Sequence, residues 1–200
     1  MRLGLLADIH GQVDNLQIAL KKLRDLEVDR FIVLGDVIYD SRSASETIAL
    51  LQEHHAVGVW GNHDLGLCLE PNEWALSHFS KPVIEFFGTL ESRYEVGDLL
   101  FSHTFPHQDP TDPTAYYLGP RPEDPWSFEE SFSLFPHRVM FVGHFHRWLI
   151  AARDQHPEWD GVQPLQLVPT ERYFVIVNAV MNGWAAIFDE SVNILTPIRL

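Results

Sequence analysis

The stretch Val59-Trp60-Gly61-Asn62-His63-Asp64 decides how this chain is read. An apolar run over residues 56–60 stops at a glycine, and an amide, an imidazole and a carboxylate follow in succession. A strand that ends in this way delivers polar side chains to the carboxyl edge of a sheet, where α/β proteins keep their ligands. Four further segments repeat the pattern. Asp8-Ile9-His10, Gly35-Asp36, His103 and Gly143-His144-Phe145-His146 each follow an apolar run. Asp64 itself reads as the cap of the next helix.

Working outward, residues 2–7 are apolar on both faces and predict a buried first strand. In extended backbone, residues i and i+2 point the same way, so Asp8 and His10 converge while Ile9 packs behind. Val13, Leu16, Ala19, Leu20, Leu23 and Leu26 then recur at helical spacing. A second strand over 31–34, a helix over 43–53 and a third strand over 56–60 complete a strand–helix–strand–helix–strand unit. Such units form parallel sheets with right-handed crossovers, which carries all three polar strand ends to one edge. Residues 71–87 read as helical.

Beyond Gly88, strands over 93–96 and 99–102 flank the turn Gly97-Asp98. Residues 104–126 carry Pro106, Pro110, Pro113, Pro120, Pro122 and Pro125, which predict a loop without regular structure. Leaving directly from His103, this loop is expected to cover the pocket. Tyr116 and Tyr117 give it apolar faces with polar tips, and Asp109, Asp112, Glu123 and Asp124 make it acidic. A short helix over 127–135 and a strand over 138–142 follow. The remainder reads as antiparallel sheet, with strands over 148–152, 165–168, 173–180, 184–188 and 192–195. Asp160-Gly161 and Asn182-Gly183 supply its turns, so that 173–188 forms a hairpin. One domain over 1–200, of two sheets with helices outside, is the expected architecture.

A chain that is 46% hydrophobic and 21% charged is globular rather than disordered. Its net charge of −14 argues against nucleic-acid or anionic-membrane partners. The single cysteine, Cys68, excludes an internal disulfide framework, reads as a buried small residue and suits a reducing cytoplasm. The short apolar opening is no secretion signal, and no apolar run is long enough to span a membrane. If the substrate is a phosphate, so acidic a chain needs local positive charge. With only 14 lysines and arginines, metal ions are the natural source.

The polar strand ends offer carboxylates, imidazoles and one amide oxygen, without thiolate, a set suited to manganese, iron, nickel or zinc. Seven ligands are too many for one ion, whereas one shared carboxylate makes two four-ligand sets. Two divalent ions about 3.5–4 Å apart would clamp both oxygens of a displacement at phosphorus. The order D-x-H, G-D, G-N-H-D, H, G-H-x-H, running from Asp8 to His146, resembles the calcineurin-like metallophosphoesterase superfamily. Its opening, Leu6-Ala7-Asp8-Ile9-His10-Gly11 followed by an amphipathic helix, is most similar to the small bacterial phosphodiesterase-like branch.

That resemblance implies that Asp8, His10 and His146 bind one ion, that Asn62, His103 and His144 bind the other, and that Asp36 bridges them. His63 would be no ligand but would meet the phosphate. The implied fold is a two-sheet α/β/β/α sandwich. The implied activity is dinuclear metal-dependent hydrolysis of phosphoric esters, with a small phosphodiester or nucleotide as substrate. Departures at Gln12, Thr104 and Phe145 touch residues around a substrate and remove no ligand. Two alternatives stand beside it. One is a non-catalytic protein-binding scaffold of the same fold. The other is a protein or dinucleotide-tetraphosphate phosphatase, whose arginine motif is unmatched because Asp40 and Arg42 lie at other offsets from Asp36. Asp8 and Asp36 have helix capping as their structural alternative. His54, His55, His78, His107, His137 and His156 read as surface or loop residues.

Overall fold

The computed structural model describes residues 1–124, 126–153 and 157–200. His156, expected on the surface or in a loop, and Pro125 of the proline-rich segment lie outside the described residues. Strand β1 (Arg2–Leu6), helix α1 (Val13–Asp25), β2 (Arg30–Leu34), α2 (Ala44–Glu53) and β3 (Val57–Val59) form the expected parallel unit. Helices α3 (Leu65–Cys68), α4 (Glu73–His78) and α5 (Lys81–Phe87) follow, and β4 (Tyr94–Val96) pairs antiparallel with β5 (Leu99–Ser102). After α6 (Pro113–Leu118) and α7 (Trp126–Leu134) come β6 (Val139–Val142), β7 (Leu149–Ala152), β8 (Leu165–Gln166), β9 (Tyr173–Ile176), β10 (Trp184–Asp189) and β11 (Ile194–Arg199).

The strands sort into a six-stranded sheet, β3-β2-β1-β10-β11-β8, and a five-stranded sheet, β4-β5-β6-β9-β7. Because successive strand residues face opposite ways, each doubly buried strand feeds two cores. Leu3 and Leu5 of β1 point between the sheets towards Phe101, Val139 and Phe141. Leu6 points outward and packs with Leu16, Leu20 and Leu23 of α1 and Ile48 and Leu51 of α2. On the far side, Met140 and Val142 of β6 pack against Phe128 and Phe132 of α7. Three apolar layers thus separate four layers of secondary structure, the expected α/β/β/α sandwich. No helix among the described residues is long and apolar enough to cross a membrane.

Two expectations are corrected. Residues 173–188 are not a hairpin: β9 runs parallel to β6 in one sheet, and β10 runs antiparallel to β1 in the other. Asn182-Gly183 closes a 3-10 turn, Val180–Asn182, through Gly183 N–H donating to Val180 O at 2.9 Å, instead of turning a strand back on itself. The crossing occurs over β1, where Val180 N–H donates to Ala7 O at 2.7 Å and Met181 N–H to Asp8 O at 3.2 Å. The proline-rich segment also has regular structure. In α6, Pro113 occupies the first turn, where its missing N–H costs nothing, and the Asp112 side chain caps the helix by accepting from Thr114 N–H at 2.8 Å.

Phe141 lies fully buried between the sheets, its ring 5.5 Å from Phe101 and 5.2 Å from Phe188. Phe141→Ala should therefore lower stability by about 3–5 kcal/mol, as large-to-small changes in a packed core do. Urea unfolding with an unchanged slope would show that effect, and a loss under about 1 kcal/mol would mean that the sheets close over the gap.

Candidate metal centre

The strand ends meet because their backbones are laced together. His10 N–H donates to Asp36 O at 2.9 Å, Gly11 N–H to Val37 O at 3.0 Å, and Gly143 N–H to His103 O at 3.0 Å. Five of the seven candidate ligands, Asp8, His10, Asp36, His144 and His146, have positive φ between 47° and 64°. Left-handed backbone costs a residue with a Cβ roughly 1–2 kcal/mol, and only Asp, Asn and His tolerate it comparatively well. Such conformations concentrated at one place mark a functional site. Close approach adds a second constraint: a Cβ on Gly61 would lie 2.2 Å from Asp36 Oδ1, and one on Gly35 would lie 2.4 Å from His103 Nδ1.

All seven candidate ligands gather at this edge, in two sets that share Asp36. In the first, ligand atoms of Asp8, His10, Asp36 and His146 lie within 4.8 Å of one another. His146 Nε2 stands 3.2 Å from Asp8 Oδ1 and 3.4 Å from His10 Nε2, which is 3.6 Å from Asp36 Oδ2. In the second, Asp36, His103 and His144 cluster equally tightly, and His103 Nε2 lies 3.3 Å from Asp36 Oδ2 and 3.2 Å from Asn62 Oδ1. Asp36 Oδ1 accepts from His63 N–H at 2.9 Å, which leaves Oδ2 between the two sets.

The donor chemistry fits a cation in each set. His103 Nδ1 lies 2.7 Å from Leu34 O, so Nδ1 carries hydrogen and Nε2 faces two oxygen acceptors. Burial works against charge on His103, yet the Asp36 carboxylate outweighs it and raises His103 to about 9. Burial likewise works to raise Asp36, and the His103 charge prevails and holds its carboxyl below the usual range. The pocket calls for positive charge, which a proton or a divalent ion supplies. His144 is pushed down to about 3 by burial and by the charge on His103, so it stays neutral. Its Nε2 is 3.0 Å from Tyr116 O, an acceptor, which leaves Nδ1 with the free lone pair.

Several residues do what their sequence context did not suggest. Asp64 stands at the start of α3, but its side chain caps nothing. Its oxygens accept from Gly61 N–H at 2.9 Å and Val37 N–H at 3.1 Å, tying the loop after β3 to the loop after β2. Burial and the nearby Asp36 raise Asp64 to about 7. Tyr116 offers no open face: it is buried, and its hydroxyl donates to Pro110 O at 2.9 Å. Tyr117 is exposed and sits 3.1 Å from Asn62 Nδ2. A second open aromatic beside the clusters is Tyr39, with its ring 5.7 Å from that of His63. Only its place three residues past Asp36 hinted at this. His107 lies in a loop as expected, but its largely buried ring bonds Ser131 Oγ at 2.9 Å and meets Glu130 of α7. His137 is similarly enclosed, beside Glu95. Cys68 is half-buried against the core over α1 and α2.

A two-sheet edge bearing two carboxylate–imidazole clusters that share one aspartate defines a class of phosphoesterase folds. Residues 1–148 match the calcineurin-like phosphoesterase family, and the chain belongs to it. Among solved structures it is similar to a metallophosphoesterase from Sphaerobacter thermophilus, with 23% identity and a TM-score of 0.79 over 100% of this chain and 88% of that one. An archaeal phosphodiesterase shares the fold at 13% identity, with a TM-score of 0.57 over the full length of both chains. Uncharacterized protein MJ0912 of Methanocaldococcus jannaschii is 24% identical over 79 residues, which span 40% of this chain and 31% of that protein.

Asp64→Ala should strand two buried amides, at about 1–3 kcal/mol each. The melting temperature should fall by several degrees, at about 2–4 °C per kcal/mol for a chain of this size. A melting curve matching the wild type would mean that water replaces the carboxylate.

Proposed function

We propose that this protein is a dinuclear metal-dependent hydrolase of phosphoric esters, and that its substrate is a small phosphodiester. The observation that carries the reading is Asp36 Oδ2, 3.6 Å from His10 Nε2 and 3.3 Å from His103 Nε2, one carboxylate oxygen serving both clusters. Asp8, His10, Asp36 and His146 would hold one divalent ion, and Asp36, Asn62, His103 and His144 the other. Such a pair supplies Lewis-acid polarisation of the phosphoryl group and an attacking water of lowered pKa.

His63 has the remaining role. Its backbone N–H is fixed to Asp36 while its exposed imidazole stands edge-on to His10, ring centres 4.9 Å apart. From there it can donate to a phosphoryl oxygen or protonate the leaving oxygen. Two cavities flank the clusters. One, of about 380 Å³, runs past His144 and His146 to Tyr117, Arg121 and Arg147. The other, of about 590 Å³, runs past His10 to Tyr39, Arg42 and Met181. A diester has an organic group on each side of phosphorus, and two flanking cavities suit it better than a monoester. The net charge of −14 disfavours a polyphosphate. A protein-binding scaffold would not need five ligand-type residues held in left-handed backbone. Cytoplasmic residence goes with the single cysteine.

The wild-type protein should take up two manganese ions per chain by elemental analysis, and Asp36→Asn should lose both. His63→Ala should keep both ions and slow hydrolysis of a bis-aryl phosphodiester by about two to four orders of magnitude, the worth of a positioned proton donor or oxyanion partner. Reduced metal content in His63→Ala would make His63 a ligand, and undiminished turnover would remove it from the chemistry. Preference for a nucleoside triphosphate over the diester would contradict the substrate reading.

A further inference from the structure

We propose that α6 is a positioning element for the second ion alone, so that the two ions bind with separable affinities and the second depends on this helix. The inference rests on the dinuclear reading above. Three ligands of the second set meet α6. Asn62 Nδ2 lies 3.1 Å from Tyr117 Oη, His144 Nε2 lies 3.0 Å from Tyr116 O, and the His103 ring centre is 5.7 Å from that of Tyr116. The first set is held by the sheet edge instead. His144 N–H donates to both Asp8 oxygens at 3.0–3.1 Å, His10 N–H is tied to the Asp36 carbonyl, and His146 Nε2 rests on Asp8.

The two polar contacts from α6 each resolve an ambiguity that matters to a cation. An asparagine amide can present oxygen or nitrogen, and only the oxygen ligates. Tyr117 Oη accepts from Nδ2, which turns Oδ1 towards His103 and the second set. A neutral imidazole has two tautomers, and a carbonyl at one nitrogen fixes the lone pair on the other. Tyr116 O does this for His144. Partners of this kind are worth about 10–100-fold in metal affinity.

Six residues of helix do not hold in water unaided, so α6 depends on its anchors. Gln108 Nε2 donates to Ala115 O at 2.7 Å, while Gln108 Oε1 accepts from Thr104 Oγ1 at 3.0 Å. Thr104 directly follows His103, so the anchor begins one residue past a candidate ligand. Arg93 reinforces it by donating to the Pro106 and Gln108 carbonyls at 2.7 and 2.8 Å.

Manganese titration of the full chain, by calorimetry and by electron paramagnetic resonance, tests the inference without using activity. The wild type should bind two ions and give the broad signal of a spin-coupled pair. Tyr117→Phe alters an exposed residue and leaves the fold intact. It should weaken one ion about 10–100-fold and leave the other unchanged. At intermediate manganese, the variant should show the six-line signal of isolated ions where the wild type shows the coupled one. Gln108→Ala, which loosens α6 without touching a ligand, should act in the same direction. Two ions of wild-type affinity in both variants would overturn the proposal, as would equal weakening of both ions. A wild type that binds only one ion would overturn the dinuclear reading itself, and this inference with it.

Discussion

Three buried carboxylates at one sheet edge set the terms for everything around them. Asp8, Asp36 and Asp64 are at most 2% exposed, in a chain that already carries a net charge of −14. A buried carboxylate costs several kcal/mol unless donors or charges compensate it. Each therefore takes backbone N–H groups from a loop other than its own: Asp8 from His144, Asp36 from His63, and Asp64 from Val37 as well as Gly61. The exchange is reciprocal. The carboxylates are satisfied, and loops from two different sheets are fixed to within ligand distance of each other. Mutual repulsion remains, and imidazoles and divalent cations answer it.

The sandwich serves this edge by delivering strand ends from both sheets to one place. β1, β2 and β3 bring Asp8, Asp36 and Asn62 from one sheet, and β5 and β6 bring His103, His144 and His146 from the other. The packed aromatic layer between the sheets, with Phe101, Phe141 and Phe188, keeps their separation constant. A shift of one sheet against the other would pull the two halves of each cluster apart. Rigidity in the apolar interior is what permits strained backbone at its rim.

Much of this was legible in the sequence, for definite reasons. Apolar runs ending in Asp8, Asp36 and Asn62, separated by helical spacing, leave little freedom beyond a parallel sheet with one polar edge. The crossing between β9 and β10 was not legible. Both strands are apolar on both faces, so periodicity cannot say which sheet takes them, and Asn182-Gly183 is as good a hairpin turn as any. Helix α6 was hidden by prolines that look like breakers but include one at a first turn, where proline is welcome. The clamp made by Asp64 joins residues 27 positions apart and leaves no local trace. Tyr39 shows little beyond its place three residues past Asp36, since its nearness to His63 comes from how two loops meet.

The crossing of the chain over β1 has a consequence for how the protein comes into being. β1 sits in the middle of its sheet, with β2 on one side and β10 on the other, and Arg2 pairs with Asp189. The Asp8 carbonyl is bonded by Met181 N–H. As synthesis proceeds, β1 leaves the ribosome long before β10 does, and its second edge stays uncovered until that strand arrives. Contacts of such long sequence separation slow folding, and an uncovered strand edge invites pairing with other chains. Until β10 docks, β1, whose end presents Asp8, is paired along one edge only.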